Sequence, residues 1–426
     1  MPATRRPSTM PTSMRPAENK GDLIIIGGGA SGLAAACIAM QRGKRVLLLE
    51  ARDRVGKKLL ATGNGRCNLM NMGAPVYFGH PRFALDVLRH CPREEVLRFF
   101  DALGLTTVAE GDLLYPASMQ AAAVLDVLRL PLADSPRVRM VTGAEAVDIR
   151  REASGFSVRC ANGDSYMAPA VIAAAGGPAQ PRLSGSDSLF PVLEALGHRL
   201  IAPRPALTGL VTQKGDVRGL KGMRLPARCT LTDSAGRPVA ATEGEVLFAD
   251  DGVSGVCVMQ LSRDAGALLE RGEKPRLYLD LSPLLGLMPR RMRRVPQGEL
   301  SPPGENRAAV LAWLTQRARH LPAERLLTGA LPRLLHDRLR GLSQADTAAL
   351  LAAFPLDVIG LRGFDHAQVA AGGIDPADVD PATMQSRLVP GLYLTGELLD
   401  VDGDCGGHNL LFAWAGGLLA GRHAAG

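Results

Sequence analysis

Residues 22–50, DLIIIGGGASGLAAACIAMQRGKRVLLLE, decide the fold. An apolar run at 22–26 ends abruptly in GGGASG, a helix of small and apolar residues is predicted over 30–41, and a second buried strand is predicted over 45–50. A strand, a short turn, a helix and another strand make a right-handed β-α-β unit with parallel strands. The stretch therefore predicts an α/β protein with a Rossmann-type domain.

The turn between the first strand and the helix has the spacing G-x-G-x-x-G, at Gly27, Gly29 and Gly32. The first glycine of such a turn permits the tight bend, the second lets the backbone approach a pyrophosphate, and the third lets helix and strand pack closely. The start of the helix, at Ala30 and Ser31, offers free N–H groups and the positive end of the helix dipole. The turn therefore predicts a dinucleotide-binding site.

Glu50 ends the second strand, eighteen residues after Gly32, where an acid accepts hydrogen bonds from an adenosine ribose. We find a single G-x-G-x-x-G, whereas a reductase with a separate pyridine-nucleotide domain would contain two. Glycine-rich turns return near the C-terminus, at 370–374 and 394–409. This arrangement favours FAD, a long cofactor covered by both ends of the chain.

The composition is that of a globular protein, with 46% hydrophobic and 21% charged residues among 426. No apolar run approaches the roughly 18–20 residues that span a membrane, so no membrane interaction is expected. The seven cysteines form no C-x-x-C pair, which favours reduced thiols in the cytoplasm, and no metal site is predicted. Residues 1–20, rich in Pro, Ser, Thr and Arg, are predicted to be a disordered tail, with a cleaved organellar presequence as the alternative.

The character of the chain changes after residue 197. A hairpin is predicted from 228–233 and 238–242, a further strand at 245–249, and an arginine-rich helical part over 309–351. Strand–turn–helix character returns at 357. The predicted division is a tail at 1–20, a first part of the cofactor domain at 21–196, an insert at 197–356 and a second part at 357–426.

Five motifs carry a resemblance to a known family: GGGASGL, VGKKLLATGNGRCNLMN, VLFADDGVSG, AAGGI and GLYLTGELLDVDGDCGGHNLLFAWAGG. The chain resembles the HI0933-like flavoproteins, also called the aminoacetone-oxidase-type FAD-binding family, over residues 22–421. The resemblance implies a discontinuous Rossmann-type FAD-binding domain, interrupted by a small β-barrel and a helical piece. It also implies that FAD is the cofactor.

The same resemblance implies that the polar loop at 57–71 wraps the FAD, with Asn64, Arg66 and Asn68 as donors. It implies that the turn at 396–397 lies against the ribityl–phosphate region and that residues 406–410 open the last helix against the flavin. A helix N-terminus there would stabilise the negative charge of a reduced flavin. Beyond the glycine turn and Glu50, the cofactor-binding residues predicted in this way are Ala51, Arg52, Lys58, Asn64, Arg66, Cys67, Asn68, Val147, Gly176, Gly177, Gly396, Glu397, Gly407, His408, Asn409 and Leu410.

Two of these residues have alternative interpretations. His408 stands where relatives more often have an aromatic residue, and it either packs as a substitute or donates a proton near the flavin. Cys67 is either a buried structural cysteine or a reactive thiol beside the flavin. No Ser–His–Asp or Cys–His pattern is visible, so the sequence identifies no catalytic acid or base.

The predicted activity is that of an FAD-dependent oxidoreductase acting on a small amine or similar molecule, with NADH or NADPH as a candidate transient electron donor. The first alternative is reduction of a uridine in ribosomal RNA. Eleven arginines against four acids between 286 and 341 account for the whole formal charge of +7, and Arg290, Arg291, Arg293 and Arg294 are the candidate RNA contacts. The second alternative is a non-catalytic flavin redox sensor.

Overall fold

A computed structural model describes residues 19–426, so the predicted tail lies almost entirely outside the described residues. The strands are β1 (Leu23–Ile26), β2 (Val46–Glu50), β3 (Met70–Asn71), β4 (Tyr77–Gly79), β5 (Thr107–Glu110), β6 (Leu113–Pro116), β7 (Val138–Thr142), β8 (Ala146–Glu152), β9 (Gly155–Cys160), β10 (Ser165–Ala168), β11 (Ala170–Ala173), β12 (Leu200–Ala206), β13 (Leu210–Thr212), β14 (Arg224–Thr232), β15 (Pro238–Phe248), β16 (Gly252–Ser254), β17 (Arg276–Asp280), β18 (Arg293–Arg294), β19 (Phe354–Leu361), β20 (Val369–Ile374), β21 (Leu392–Leu394) and β22 (Val401–Gly403).

The helices are α1 (Ala30–Gln41), α2 (Lys57–Ala61), α3 (Pro81–His90), α4 (Arg93–Ala102), α5 (Ala121–Asp134), α6 (Phe190–Ala195), α7 (Lys214–Val217), α8 (Val256–Glu270), α9 (Arg307–Ala318), α10 (Arg333–Arg338), α11 (Gln344–Ala352) and α12 (His408–Ala424). Within residues 19–426, none of them combines the length and apolar character that a membrane crossing requires.

A five-stranded parallel sheet in the order β21-β11-β1-β2-β7 forms the centre of the Rossmann-type domain. Its strands β1 and β2 are buried along their whole length, as expected for a parallel sheet with both faces covered. Helix α12 packs tightly on α1, because a side chain at Gly417 or Gly421 would collide with the backbone of Ser31 or Ala35. The chain thus brings its C-terminal helix against the first helix of the domain.

The insert contains a closed antiparallel barrel. Six strands follow each other in the order β14-β17-β19-β13-β16-β15, and pairing of β14 with β15 closes the ring. The short strand β18 adds to the outer edge of β15. The barrel has its own apolar core, in which Phe248 and Phe354 meet edge to face. The predicted small β-barrel with a helical part is confirmed.

The elements of the first β-α-β unit agree with the prediction, and α1 spans the predicted residues 30–41. Helices α3 and α4 are separated at Cys91 and Pro92. The separate strand predicted at 245–249 is wrong, because β15 runs without interruption over Pro238–Phe248. Helices α5 and α8 were not predicted.

The predicted domain boundary at residue 357 falls inside β19, which belongs entirely to the barrel. The two crossings between the Rossmann part and the barrel lie side by side, because β12 pairs antiparallel with β20. We therefore propose that the insert begins after Ala206 and ends before Val369, rather than at 197 and 356.

Candidate functional site

A cavity of about 900 Å³ lies between the Rossmann part and the barrel. Its walls include the turn between β1 and α1, the end of β2, the polar loop at 57–71, residues 174–176, the start of α12, and an insert-side wall. The insert-side wall consists of Leu207, Glu243, Gly244, Val256, Cys257, Gln260, Met292, Arg293, Gln368 and Val369. A volume of this size is typical of a cofactor or small-molecule site.

The glycine turn has the geometry that its sequence predicts. Gly27 has a φ of +105°, and a side chain there would collide with the carbonyl of Ala174. A side chain at Gly32 would collide with the carbonyl of Gly27, so the third glycine permits the close packing of helix and strand. A Cβ added at Gly29, in contrast, would have no atom within 4 Å of it. The backbone at Gly29 therefore faces the open cavity.

Glu50 organises this turn as well as facing the cavity. Its Oε2 accepts a hydrogen bond of 2.8 Å from the backbone N–H of Gly28, and its Oε1 accepts one of 2.8 Å from the backbone N–H of Arg52. Each carboxylate oxygen keeps a further lone pair. The carboxylate can therefore accept a ribose hydroxyl while holding the backbone of the turn.

The polar loop folds into α2 and a short 3₁₀ turn at Thr62–Gly65. Gly63 and Asn64 have φ values of 57° and 55° in the left-handed region, which explains the glycine and asparagine there. Lys58 Nζ lies 2.6 Å from Glu397 Oε2, so the loop is tied to the C-terminal motif. The Oδ1 atom of Asn68 is buried and has no hydrogen-bond partner among the described residues.

Helix α12 begins against residues 68–71 at the end of the same loop. Its N-cap residue Gly407 has a φ of +95°, no side chain caps the helix, and its first turn contains no acid. A Cβ at Gly407 would lie 2.8 Å from Asn68 Oδ1. The side-chain amide of Asn409 is held in place, because it exchanges hydrogen bonds of 2.7 and 2.8 Å with the backbone of Gly403. The start of α12 therefore contributes backbone N–H groups to the cavity.

These features fit an anionic dinucleotide such as FAD. Helices α1 and α12 both point uncapped N-termini into the cavity, and such ends stabilise negative charge. The open space above Gly29 and the unpaired oxygen of Asn68 leave room and hydrogen-bonding capacity for a ligand. FAD bound there would supply two-electron chemistry.

Most of the predicted cofactor residues line the cavity; their contacts with FAD stay predictions. Those that line it are Gly27, Gly29, Ala30, Ser31, Glu50, Ala51, Lys58, Asn64, Arg66, Asn68, Gly176, Glu397, Gly407, Asn409 and Leu410. Those that do not are Gly32, Arg52, Cys67, Val147, Gly177, Gly396 and His408. Gly32 and Gly396 serve packing, since a Cβ at Gly396 would lie 2.6 Å from Ser31 Oγ.

His408 and Cys67 are both buried away from the cavity. Burial, with a smaller effect from Arg93, lowers the pKa of His408 to about 4, so its imidazole is neutral near pH 7. The ring packs edge to face against Tyr77, with 5.8 Å between centroids. Burial raises the pKa of the Cys67 thiol to about 11. Both side chains fit the packing interpretation rather than the chemical one.

The arginine-rich segment differs from a free basic surface. Arg290 and Arg291 are exposed. Arg293 lies in the cavity wall and pairs with Glu243, while Arg294 pairs with Asp264 at 2.6 Å. Arg293 and Arg294 are thus engaged by protein carboxylates, and RNA contact through the four arginines stays a prediction.

Sequence reasoning missed the insert-side wall. Gln260 lies on α8, which was not predicted, and Met292 and Arg293 stand in a segment interpreted only by its charge. Tyr115, over which the guanidinium of Arg66 stacks at 4.6 Å, was also missed. No local motif marks these residues: the folded barrel brings the insert-side residues to the cavity, and the sheet of β3, β5 and β6 brings Tyr115.

The sequence profile described as the HI0933-like protein Rossmann domain matches residues 21–423. The chain belongs to the HI0933-like family. A 3-dehydro-bile acid delta(4,6)-reductase of Clostridium scindens is 38% identical to the HI0933-like chain over 94% of it and 98% of that protein. A ribosomal RNA dihydrouridine synthase of Escherichia coli is 27% identical, over 92% and 95% of the two chains.

Human flavin-containing amine oxidase B is 35% identical over 89 residues, which are 21% of this chain and 15% of that protein. Among solved structures, a 3-ketosteroid-delta4-(5alpha)-dehydrogenase from Rhodococcus jostii shares the fold, with a TM-score of 0.50 and 14% identity over 96% and 97% of the chains. The HI0933-like chain is an FAD-dependent oxidoreductase. Its being an enzyme sets aside the alternative of a non-catalytic sensor.

Proposed function

We propose that this enzyme reduces a carbon–carbon double bond conjugated with a carbonyl group in an apolar molecule of steroid size. The observation that carries the proposal is the full-length similarity, at 38% identity, to a reductase of a 3-dehydro-bile acid. A 3-oxo group conjugated with ring double bonds is an enone, which accepts hydride at the carbon β to the carbonyl. Bound reduced FAD would supply that hydride.

The insert-side wall supports a substrate of this kind. Leu207, Val256, Met292 and Val369 offer apolar contacts, and the amides of Gln260 and Gln368 lie among them. A mostly apolar wall with a few polar groups suits a large apolar ligand with few functional groups. A small amine would leave most of this surface uncovered, and similarity to an amine oxidase covers only 21% of the chain. We therefore favour the enone over the amine predicted from the sequence.

The test is anaerobic. Enzyme whose flavin has been reduced is mixed with a 3-oxo-Δ4,6 bile acid, and oxidised-flavin absorbance is followed while the product is weighed by mass spectrometry. We expect rapid recovery of the absorbance and a product heavier by two hydrogens. Oxidised enzyme that is bleached by aminoacetone, with no response of the reduced enzyme to the bile acid, would refute the proposal. Adding NADH or NADPH alone tests the electron donor.

Reduction of a uridine in ribosomal RNA is the second candidate, favoured by the dihydrouridine synthase that is similar over 92% of the chain. Arg290 and Arg291 are the exposed arginines of the four predicted contacts. If RNA is the substrate, replacing both with Gln should lower the slope of log affinity against log salt by roughly 0.7–0.9 for each phosphate that is no longer neutralised. An unchanged slope would argue against RNA binding at these arginines.

A further inference from the structure

Arg293 is the basic residue that the insert contributes to the cavity. Among the described residues that line the cavity, the other arginines and lysines (Arg54, Lys57, Lys58 and Arg66) all come from the first part of the Rossmann domain. Arg293 instead reaches the cavity from β18, on the wall that also carries Met292 and Gln260. The substrate side of the cavity therefore contains one guanidinium among the described residues.

Two carboxylates hold this guanidinium in place. Strand β18 pairs with β15 so that Arg293 stands opposite Glu243, and Arg293 Nε donates to Glu243 Oε2 at 3.1 Å. Nη2 lies 2.9 Å from Glu299 Oε2. Among the described residues, Nη1 has no hydrogen-bond partner, and the side chain is 31% exposed. The guanidinium of Arg293 is therefore held through Nε and Nη2, and its Nη1 is left for a ligand.

Neighbouring contacts place β18 beside the start of α12. Arg294 donates at 3.0 Å to the carbonyl of Gln260 and stacks over Phe78 at 5.2 Å. Gln260 lies near the carboxylate of Asp404, which precedes Cys405 and Gly406 in the cavity wall. Arg293 thus belongs to the part of the wall that is linked, through Arg294 and Gln260, to the residues just before α12.

We propose that Arg293 binds the carbonyl oxygen of the enone through Nη1 and stabilises the negative charge that develops there. This inference rests on the proposed function. Hydride from reduced flavin bonds to the β carbon, the π electrons of the double bond shift toward the carbonyl, and the oxygen becomes an enolate. A proton from water then bonds to the α carbon, and the flavin is left oxidised by two electrons.

A guanidinium suits this role better than a neutral donor. The hydrogen bonds that Arg293 donates to the carboxylates of Glu243 and Glu299 raise its pKa, so its charge is present at every working pH. A preorganised donor aimed at a developing oxyanion typically contributes roughly 10²–10³-fold in rate. The two carboxylates orient the fork, while the β-strand fixes its backbone.

The experiment compares Arg293→Gln and Arg293→Lys with a matched control, Arg319→Gln, whose side chain is exposed at the end of α9. In anaerobic single turnovers with the 3-oxo-Δ4,6 bile acid, we expect Arg293→Gln to slow flavin reoxidation roughly 10²–10³-fold. Arg293→Lys should recover part of the rate, and Arg319→Gln should match the parent. FAD content should be equal in all four proteins.

A second readout does not require turnover. A phenolic steroid binds as an enolate mimic to the oxidised enzyme, and its ionisation is followed by ultraviolet absorbance against pH. We expect the parent and Arg319→Gln to lower the pKa of the bound phenol by about one unit or more relative to Arg293→Gln, since one unit corresponds to a tenfold change in the ionisation constant. Arg293→Lys should lie between them and keeps the test valid if Arg293→Gln does not fold.

The outcomes separate the two proposals. If the parent reduces no enone, the proposed function fails, and this inference fails with it. If the parent reduces the bile acid and both Arg293 variants do so equally fast, with an unchanged phenol pKa, this inference alone is overturned. A slower rate combined with a raised phenol pKa supports it.

Discussion

Single side chains in this site combine a structural contact with a place in the cavity wall. Glu50 holds the backbone N–H groups of Gly28 and Arg52 while it faces the cavity. Arg293 forms an ion pair with Glu243 while it lines the same cavity. Because each residue is fixed by its protein partner, it is already oriented when a ligand arrives.

His408 gives a prediction about pH. Its pKa falls from 6.5 in the unfolded chain to about 4 in the fold, so stability is complete above pH 6.5 and is lost as pH falls toward 4. The shift corresponds to about 3 kcal/mol of unfolding free energy across that window. His408→Phe removes the titrating group and the unpaired Nδ1. We expect its thermal midpoint, followed by circular dichroism, to depend less on pH between 4 and 6.5.

The control for this prediction is His320→Gln, because His320 is exposed. Its midpoint should follow that of the parent across the same window. Parallel pH curves for the parent and His408→Phe would mean that another group causes the acid lability.

At the scale of elements, two glycines at the N-terminus of α1 have different roles: we expect Gly29 to matter for FAD binding and Gly32 to matter for packing. Nothing lies within 4 Å of a Cβ added at Gly29, whereas one at Gly32 collides with Gly27. Gly29→Ala should therefore keep the thermal midpoint of the apoprotein and weaken FAD affinity by at least roughly tenfold, about 1.4 kcal/mol. Gly32→Ala should lower both. Flavin fluorescence titration and calorimetry of the apoprotein measure the two quantities, and tight FAD binding by Gly29→Ala would contradict the assignment of the turn.

The elements that the sequence predicted well have local signals. Helix α1 and strands β1 and β2 consist mainly of apolar residues, and glycines mark the turn between β1 and α1, so their identity needs no distant contact. Strand β15 was predicted as two strands, at 238–242 and 245–249, and Gly244 lies in the gap between them. The structure gives a packing reason for this glycine: a Cβ there would lie 2.9 Å from Cys257 on α8. A glycine in a sequence can therefore indicate either a turn or the close packing of two elements.

The sequence predicted those parts of the candidate site that consist of contiguous motifs. The glycine turn, Glu50, the polar loop and the start of α12 are contiguous signatures. The insert-side wall is assembled from β15, α8, β18, β20 and the residues next to β12, which are separated by long stretches of chain. Which residues belong to this wall depends on how the barrel packs on the Rossmann part. No pattern of apolar and polar residues along the sequence indicates that packing.

At the scale of the whole molecule, the barrel behaves as an insertion into a hairpin. Ala206 stands opposite Val369 in the β12–β20 pair. We expect a variant in which a two-residue Asn-Gly turn joins these residues to fold, because that turn suits antiparallel strands. It should retain FAD and lose enone reduction, since Glu243, Gln260 and Arg293 are removed. Flavin content after gel filtration and single-turnover kinetics check both.

A matched control joins Leu196 to Val358, the boundaries close to those predicted from the sequence. That joint removes β12 and part of β19 and leaves β20 unpaired. It should yield less soluble flavoprotein than the hairpin joint. Equal yields from both would show that the β12–β20 pair does not matter for folding.

The packing of α12 on α1 has a consequence for biosynthesis. The ribosome delivers the turn between β1 and α1 first and the barrel next, while α12 emerges after every other part of the cavity wall. Until then, Ser31 and Ala35 lack the glycine surface of Gly417 and Gly421, and β11 lacks its neighbour β21. A nascent chain can therefore mature its barrel early but cannot enclose cofactor until α12 has left the exit tunnel. We therefore expect flavin loading to follow the emergence of α12.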